Sequence, residues 1–231
     1  MLTLDGLEIT LGDWTLRADW SLPTGVRCAL IGPSGAGKST LMLAVAGFVE
    51  PTRGRVIWQG QDLAGLSPGD RPVSILFQDQ NLFPHLTVAE NLGLGIAPNR
   101  RPTRAEQDRI AEVLDRVGLA GMGARKPAQL SGGQAGRAAL ARALLRQRPL
   151  LLLDEPFAAL GPALRAEMLD LVAEVADETG ATVLMVTHDP ADARRLCDLT
   201  VFVDEGRAGP PADTAALFAD PPLAVRAYLG L

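Results

Sequence analysis

The chain has 231 residues, 47% of them hydrophobic, 21% charged and only 4% aromatic, which is enough for a packed core and excludes disordered, collagen-like and silk-like classes. Its 22 basic and 27 acidic side chains leave a formal charge of −5, too acidic for a general nucleic-acid binder, and no basic tail is present to provide one. The two cysteines, Cys28 and Cys197, form no CxxC pair and flank no histidine cluster, so neither a disulfide framework nor a zinc site is indicated and a reducing compartment fits.

Residues 1–31 read as short strands separated by turns. They lack the basic start and uninterrupted apolar run of a leader, and they end in Val26–Ile31, an apolar run of buried-strand length. Gly32–Gly37 is a glycine-rich turn, and Lys38–Val45 follows as a helix. Strands are expected at 54–60 and 73–77. A helical region then spans about residues 87–147, punctuated by Pro98, Pro102, Gly118 and Pro127. Leu150–Leu153 returns to a buried strand, 163–178 reads as a helix and Ala181–Thr187 as another buried strand. That order is βαβ-like and predicts a parallel sheet with a helical insertion. Leu199–Val203 with Asp204-Glu205-Gly206 gives a closing hairpin, and the tail reads as a short helix pair. No apolar run reaches the roughly 18 residues of a membrane-spanning helix.

Gly32-x-x-x-x-Gly37-Lys38-Ser39 matches the pattern of a phosphate-binding loop, and it stands between a buried strand and a helix, as that chemistry requires. Glycines without Cβ let successive backbone N–H groups curl around a phosphate, and the helix N-terminus adds partial positive charge. Only Lys38 and Lys126 are lysines among the 22 basic residues. A compact ammonium fits between phosphate oxygens where a planar guanidinium is too bulky, so Lys38 is the expected ligand of the β- and γ-phosphates. Ser39 is the hydroxyl expected at Mg²⁺. The plain alternative is an ordinary glycine-rich turn. Leu150–Leu153 then deliver Asp154 and Glu155 to the C-terminal edge of a buried strand, where ligands bind in open α/β sheets. Adjacent side chains diverge, so Asp154 is expected in the Mg²⁺ shell and Glu155 at an attacking water. Two acids capping the helix after Pro156 are the plain alternative there.

Leu130-Ser131-Gly132-Gly133-Gln134 resembles the signature motif of ATP-binding cassette (ABC) ATPases. The rest of the family's set follows in the family's order along nearly the full chain. Walker A falls on Gly32, Pro33, Ser34, Gly35, Ala36, Gly37, Lys38, Ser39 and Thr40, the Q-loop on Gln78, Walker B on Leu150–Asp154, the glutamate after it on Glu155 and the switch histidine on His188. The resemblance implies an α/β fold: a P-loop NTPase (RecA-like) core with an antiparallel β subdomain and a helical ABC-specific subdomain at about 87–147. It implies one nucleotide-binding domain spanning 1–231, with ATP and Mg²⁺ as cofactors. Glu155, His188 and Gln78 would be catalytic, and Ser39, Asp154 and Gln78 would face the metal. It further implies a head-to-tail homodimer in which Leu130–Gln134 of one chain close over the ATP of the other. A serine–glycine–glycine turn before a helix has bare amides to offer that second phosphate site. An adenine-stacking aromatic is implied near the N-terminus; Trp14 is the candidate, and Trp20 reads as a core residue. His85 matches no role in the set and reads as local structure.

Two stretches depart from the family's pattern. Ala158-Ala159-Leu160-Gly161 stands where the D-loop usually reads Ser-Ala-Leu-Asp, so weaker communication between the two sites is expected. Gly136 follows the signature where polar or basic residues are common, at about 1 kcal/mol of helix propensity relative to Ala. Arg71–Gln78, then Asn81-Leu82-Phe83-Pro84-His85-Leu86-Thr87-Val88, Asn91–Gly95 and a short C-terminal tail most closely resemble the ATP-binding subunit of bacterial thiamine importers. That resemblance implies an integral membrane permease as partner and, through it, an extracytoplasmic solute-binding protein. It also implies a peripheral place on the cytoplasmic face of the bacterial inner membrane, and no nucleic-acid partner. Leu82-Phe83-Pro84 would either receive the permease or pack the helical region. Two other readings stay open, an importer of another solute such as iron, sulfate or polyamine, and a soluble ABC ATPase acting on nucleic acid. A nucleotide kinase would leave Leu130–Gln134 unexplained.

Overall fold

Alternation and continuity of apolar residues divide the strands into two kinds. In β1 (Leu2–Leu11) and β2 (Trp14–Leu22) buried and exposed positions alternate, with Leu16, Ala18, Trp20 and Leu22 all inward, the pattern of an antiparallel sheet with one wet face. In β3 (Arg27–Ile31), β7 (Leu150–Asp154) and β8 (Thr182–Val186) nearly every residue is buried, the pattern of parallel strands covered on both faces. The computed structural model describes residues 1–78, 82–158 and 160–231. Its remaining elements are α1 (Lys38–Ala46), β4 (Arg53–Trp58), β5 (Gln61–Asp62), β6 (Val73–Leu76), α2 (Val88–Ile96), α3 (Arg104–Arg116), a 3₁₀ turn (Pro127–Gln129), α4 (Gly132–Leu145), α5 (Pro162–Thr179), α6 (Pro190–Leu196), β9 (Leu199–Asp204), β10 (Arg207–Ala208), β11 (Ala212–Asp213), α7 (Thr214–Ala219) and α8 (Leu223–Leu229).

The strand order is β5-β4-β1-β2-β10-β9-β3-β8-β7-β6, with β11 beside β9. The limb from β9 to β6 is parallel, and the limb from β5 to β2 is antiparallel. β10 joins them, pairing antiparallel with β9 and parallel with β2. Successive side chains of the parallel strands face opposite ways. Cys28, Leu30, Leu152 and Val186 therefore enter a core shared with α1 and the antiparallel limb. Ala29, Ile31, Leu153 and Met185 enter one shared with α2 to α6. Ile110, Leu114 and Ala138 from the helical region belong to this second core.

Three of those helices start on a capping box, Thr87 with Glu90, Thr103 with Glu106 and Ser131 with Gln134. Buried Asn91 ties the preceding loop to α2, accepting from Phe83 N at 2.7 Å and donating to Phe83 O at 3.1 Å. Buried Arg71 donates to Ala44 O and Val45 O, both at 2.9 Å, and so satisfies carbonyls at the end of α1.

The expected short strands of residues 1–31 are a correction: β1 and β2 run 10 and 9 residues. Gly6, at φ 55, takes up a register shift inside β1 that reads in the sequence as a turn. The turn at Asp204-Glu205-Gly206 and the paired tail helices are as the sequence predicts. Among the described residues no helix is long and apolar enough to cross a membrane.

Candidate nucleotide site

Between β3 and α1 the chain closes around a cavity of about 700 Å³. Gly32, Gly35 and Gly37 hold φ of 144, 79 and 104, the region open to residues without a Cβ. Two of them also have no room for one. A Cβ on Gly32 would collide with the Val203 carbonyl, and a Cβ on Gly37 would sit 2.5 Å from Trp14 Cη2. Ser34, Gly35, Lys38, Ser39 and Thr40 face the cavity, whereas Ala36 is buried beneath the loop. The Lys38 ammonium donates to Gly32 O at 2.8 Å and Pro33 O at 2.7 Å, capping its own loop. Burial pushes its pKa down, and the nearby Glu155 and Asp154 carboxylates pull it back up.

β7 brings Asp154 behind the cavity-lining Ser39, whose Oγ donates to Asp154 Oδ1 at 3.0 Å. Burial raises the Asp154 pKa above the ordinary carboxylate range, opposed by that hydrogen bond. Glu155 turns away in a left-handed conformation, φ 44, unusual for a side chain with a Cβ. Its amide donates to Val186 O at 3.1 Å, so the end of β8 fixes the strained residue. Its carboxylate meets His188, with Glu155 Oε2 3.2 Å from His188 Nδ1. Gln78 lines the cavity with them. The structure thus brings together Gly32–Thr40, Gln78, Glu155 and His188 around one space, with Asp154 bonded to Ser39 at its base.

The His188 loop carries a polar network that no sequence motif announces. Thr187 Oγ1 donates to Asp192 Oδ2 at 2.9 Å and accepts from Asp189 N at 3.1 Å. Arg165 of α5 pairs with Asp192 and with Asp189 Oδ2, the latter at 3.1 Å. Asp189 also caps α6 through Ala191 N at 2.8 Å, with Pro190 in the first turn. An Asp-Pro pair before a short helix is a start signal that the sequence does contain. Arg165 and Tyr228, which also lines the cavity, are the site residues the sequence reading lacks.

Leu130–Gln134 stand apart from this cavity, with Ser131 and Gly132 exposed at the start of α4. A Cβ on Gly133 would fall 2.9 Å from Leu164 Cδ2 and 3.3 Å from Leu160 Cδ2, so that glycine lets α4 lie close to α5. Gly161 is the N-cap of α5 without a side-chain bond, and nothing lies within 4 Å of a Cβ placed there. Ala159 and Asn81 lie outside the described residues. Trp14 rests its ring on Gly37 at the edge of the loop but is not among the cavity-lining residues, and Trp20 is buried in the core. Phe83 is exposed beside His85, their rings 6.0 Å apart, and exposed Phe48 meets Phe77 edge-on at 5.6 Å.

Known proteins share this arrangement. Residues 16–158 match the family described as "ABC transporter". The chain is 68% identical over 230 residues to the thiamine import ATP-binding protein ThiQ of Cereibacter sphaeroides, covering 100% of both chains. It is 56% identical to ThiQ of Ruegeria sp. over 230 residues, again 100% of both. Among solved structures it resembles the dimeric bacterial ABC transporter cassette MJ0796, with a TM-score of 0.82 at 29% identity over 93% of this chain and 99% of that one. A dimeric post-hydrolysis state of the same cassette, bound to ADP and Pi, superposes with a TM-score of 0.81 at the same identity and coverage. With the phosphate loop, two carboxylates and histidine gathered at one sheet edge and this likeness along the whole chain, the protein belongs to the ABC transporter family of ATP-hydrolysing cassettes.

Proposed function

We propose that the chain is the ATP-hydrolysing subunit of a bacterial thiamine importer, docked as a peripheral subunit on the cytoplasmic face of the inner membrane. One coincidence carries the reading: His188 approaches Glu155 to 3.2 Å over a phosphate loop in a chain 68% identical, end to end, to a thiamine import protein. Lys38 exchanges the carbonyls of Gly32 and Pro33 for the β- and γ-phosphates of ATP, while the amides of the loop and the start of α1 receive the phosphate oxygens. Glu155 accepts the proton of the attacking water, and His188 holds that carboxylate and the γ-phosphate in register. Ser39, Asp154 and Gln78 offer only oxygen donors of a hydroxyl, a carboxylate and an amide, a hard set that fits Mg²⁺. No cluster of three or more His, Cys, Asp or Glu stands among the described residues, which suits an ion that keeps water and phosphate as its other ligands. When bound, Mg²⁺ neutralises charge on the phosphates. Trp14, at the loop's edge, is the proposed adenine platform.

The exposed turn Ser131-Gly132-Gly133 has no nucleotide on its own chain to bind, which supports a head-to-tail homodimer with Leu130–Gln134 over the partner's ATP. Moving such a dimer from 1:99 to 99:1 closed takes about 5.5 kcal/mol, shared by two nucleotides. One or two charge-assisted hydrogen bonds per site, at about 1.5–3 kcal/mol each, cover that. Cleavage of the γ-phosphate removes them and opens the dimer. Exposed Phe83, and exposed Phe48 whose ring meets Phe77 next to Gln78, are surfaces offered to the membrane permease, through which the solute-binding protein is engaged. ATP-driven uptake by vesicles holding this chain with its cognate permease and solute-binding protein tests the whole reading. Thiamine uptake that Glu155→Gln abolishes is the expected result; ATP-driven uptake of another solute but not of thiamine overturns the assignment.

A further inference from the structure

The last helix, α8, forms one wall of the nucleotide cavity, and none of the nucleotide motifs calls for it. Tyr228 and Leu229 face that cavity beside Gly32, Lys38 and His188. Tyr228 is the only tyrosine in the sequence. Its ring leans on Phe202 of β9, 5.8 Å between centroids at 58°, and its hydroxyl donates to the main-chain carbonyl of His188 at 3.0 Å. Burial pushes the phenol pKa up, so the hydroxyl stays a donor to that carbonyl. One hydroxyl at the cavity wall therefore holds the backbone of the histidine that faces the phosphate loop.

The network on the other side of this loop holds the His188–Asp189 peptide by its N–H alone, and Tyr228 adds the hold on its carbonyl. Thr187 and Asp189 are held from α5 and α6 through Asp192 and Arg165. His188 lies between them with an exposed ring, and its carbonyl is gripped from α8. The His188–Asp189 peptide is thus held at both ends, its N–H by Thr187 Oγ1 at 3.1 Å and its carbonyl by Tyr228 at 3.0 Å, and releasing the carbonyl end lets the peptide tilt and carry the imidazole with it. We propose that Tyr228 is a positioning residue for hydrolysis: it fixes the His188 peptide so that Nδ1 stays at Glu155 when the γ-phosphate is in place. The proposal rests on reading His188 as the γ-phosphate switch. A ring that only packs, or a hydroxyl that only touches nucleotide, would act differently on the kinetics.

Tyr228→Phe keeps the ring against Phe202 and removes the hydroxyl alone. In the assembled transporter, kcat for ATP is expected to fall about tenfold, equivalent to about 1.4 kcal/mol of barrier. The KM for ATP should stay within about twofold and the melting temperature should hold, because neither binding nor packing depends on that bond. Tyr228→Ala should lose stability as well, which separates the ring's role from the hydroxyl's. A wild-type kcat for Tyr228→Phe overturns the proposal, and so does a loss expressed in KM. His188→Ala is run in parallel: a wild-type rate there defeats the reading of His188, whereas an inactive His188→Ala beside a wild-type Tyr228→Phe defeats only the role given to Tyr228.

Discussion

The loop before α1 and the loop before α6 face each other across one cavity, yet they are held in place by opposite means. Gly32–Gly37 takes its shape from its own backbone, with positive φ at three glycines and a lysine that bonds back to Gly32 and Pro33, while Val203 and Trp14 pack against it. Thr187–Asp192 is held by side chains from elsewhere, Arg165 from 27 residues away and Tyr228 from 40. A rigid, self-contained loop suits a site that must grip any nucleotide; a loop braced by two distant helices suits a group that must respond to which nucleotide is present. Glu155 is where the two meet, with its amide on β8 and its carboxylate on His188. Removing its charge with Glu155→Gln separates gripping from responding most completely. Hydrolysis should fall roughly 100-fold or more while ATP still binds, so Mg·ATP should shift the variant to a dimer on a sizing column. A monomer there breaks the comparison.

Arg165→Ala attacks the braced loop alone. Asp192 is left with its carboxylate buried, and breaking a buried pair from one side typically costs about 3–5 kcal/mol. Urea denaturation should show a loss near the low end, since Thr187 still donates to Asp192. Replacing both partners, Arg165→Met with Asp192→Leu, should restore much of the stability, because an apolar pair fills the same space. It should not restore hydrolysis, because Asp189 has lost Arg165 and Thr187 has lost Asp192. Recovery of both would mean that the network stabilises the fold without placing His188.

The same contrast explains what could be read from the sequence. The phosphate loop, the acids after Leu150–Leu153 and the strand-to-helix order around them depend on neighbours within a few residues, so spacing and periodicity reveal them. Arg165 and Asp192 sit on ordinary amphipathic helices, and nothing in their immediate surroundings distinguishes a buried ion pair from two solvated charges. Tyr228 carried one local signal, its being the sole tyrosine in an aromatic-poor chain, but its partners on β9 and at His188 emerge only once the sheet is assembled. Residues 1–31 read as short strands, whereas the ladder to β2 and β4 carries β1 through Gly6 with a register shift. Ser131 and Gly132, by contrast, are exposed at the start of a helix whose capping box spans only four residues, Ser131–Gln134.

On the phosphate-loop side, Asp154 is the group whose placement works against the fold. Its pKa is raised by burial, so the folded chain binds its proton more readily than the unfolded chain does. Stability from this group is therefore lower above the folded pKa and recovers as pH falls through it. Asp154→Asn keeps an acceptor for Ser39 and removes the charge. Without nucleotide the variant should melt higher than the parent at neutral pH, by an amount that shrinks to nothing once the solution is acid enough to protonate the native carboxyl. Added Mg·ATP should reverse the order, since the parent alone gains the metal-bound state. A variant less stable than the parent at every pH would mean that the charge is favourable to the folded chain.

The smallest effect belongs to Gly161, which lies beside neither loop but begins the helix that carries Arg165. The resemblance places an aspartate there in typical cassettes, and the space around a Cβ at this position is open. Its backbone, φ −66 and ψ 156, is the extended conformation of an N-cap, so the new carboxylate can accept from the first turn of α5 and lie at the positive end of its dipole. Relative to glycine, that gains only a few tenths of a kcal/mol. Gly161→Asp should therefore leave the melting curve nearly unchanged, and any larger change must come from across the dimer. Raised ATPase cooperativity in the assembled transporter would show that this chain runs its two sites with looser communication than an aspartate provides; unchanged rate and cooperativity would overturn that expectation.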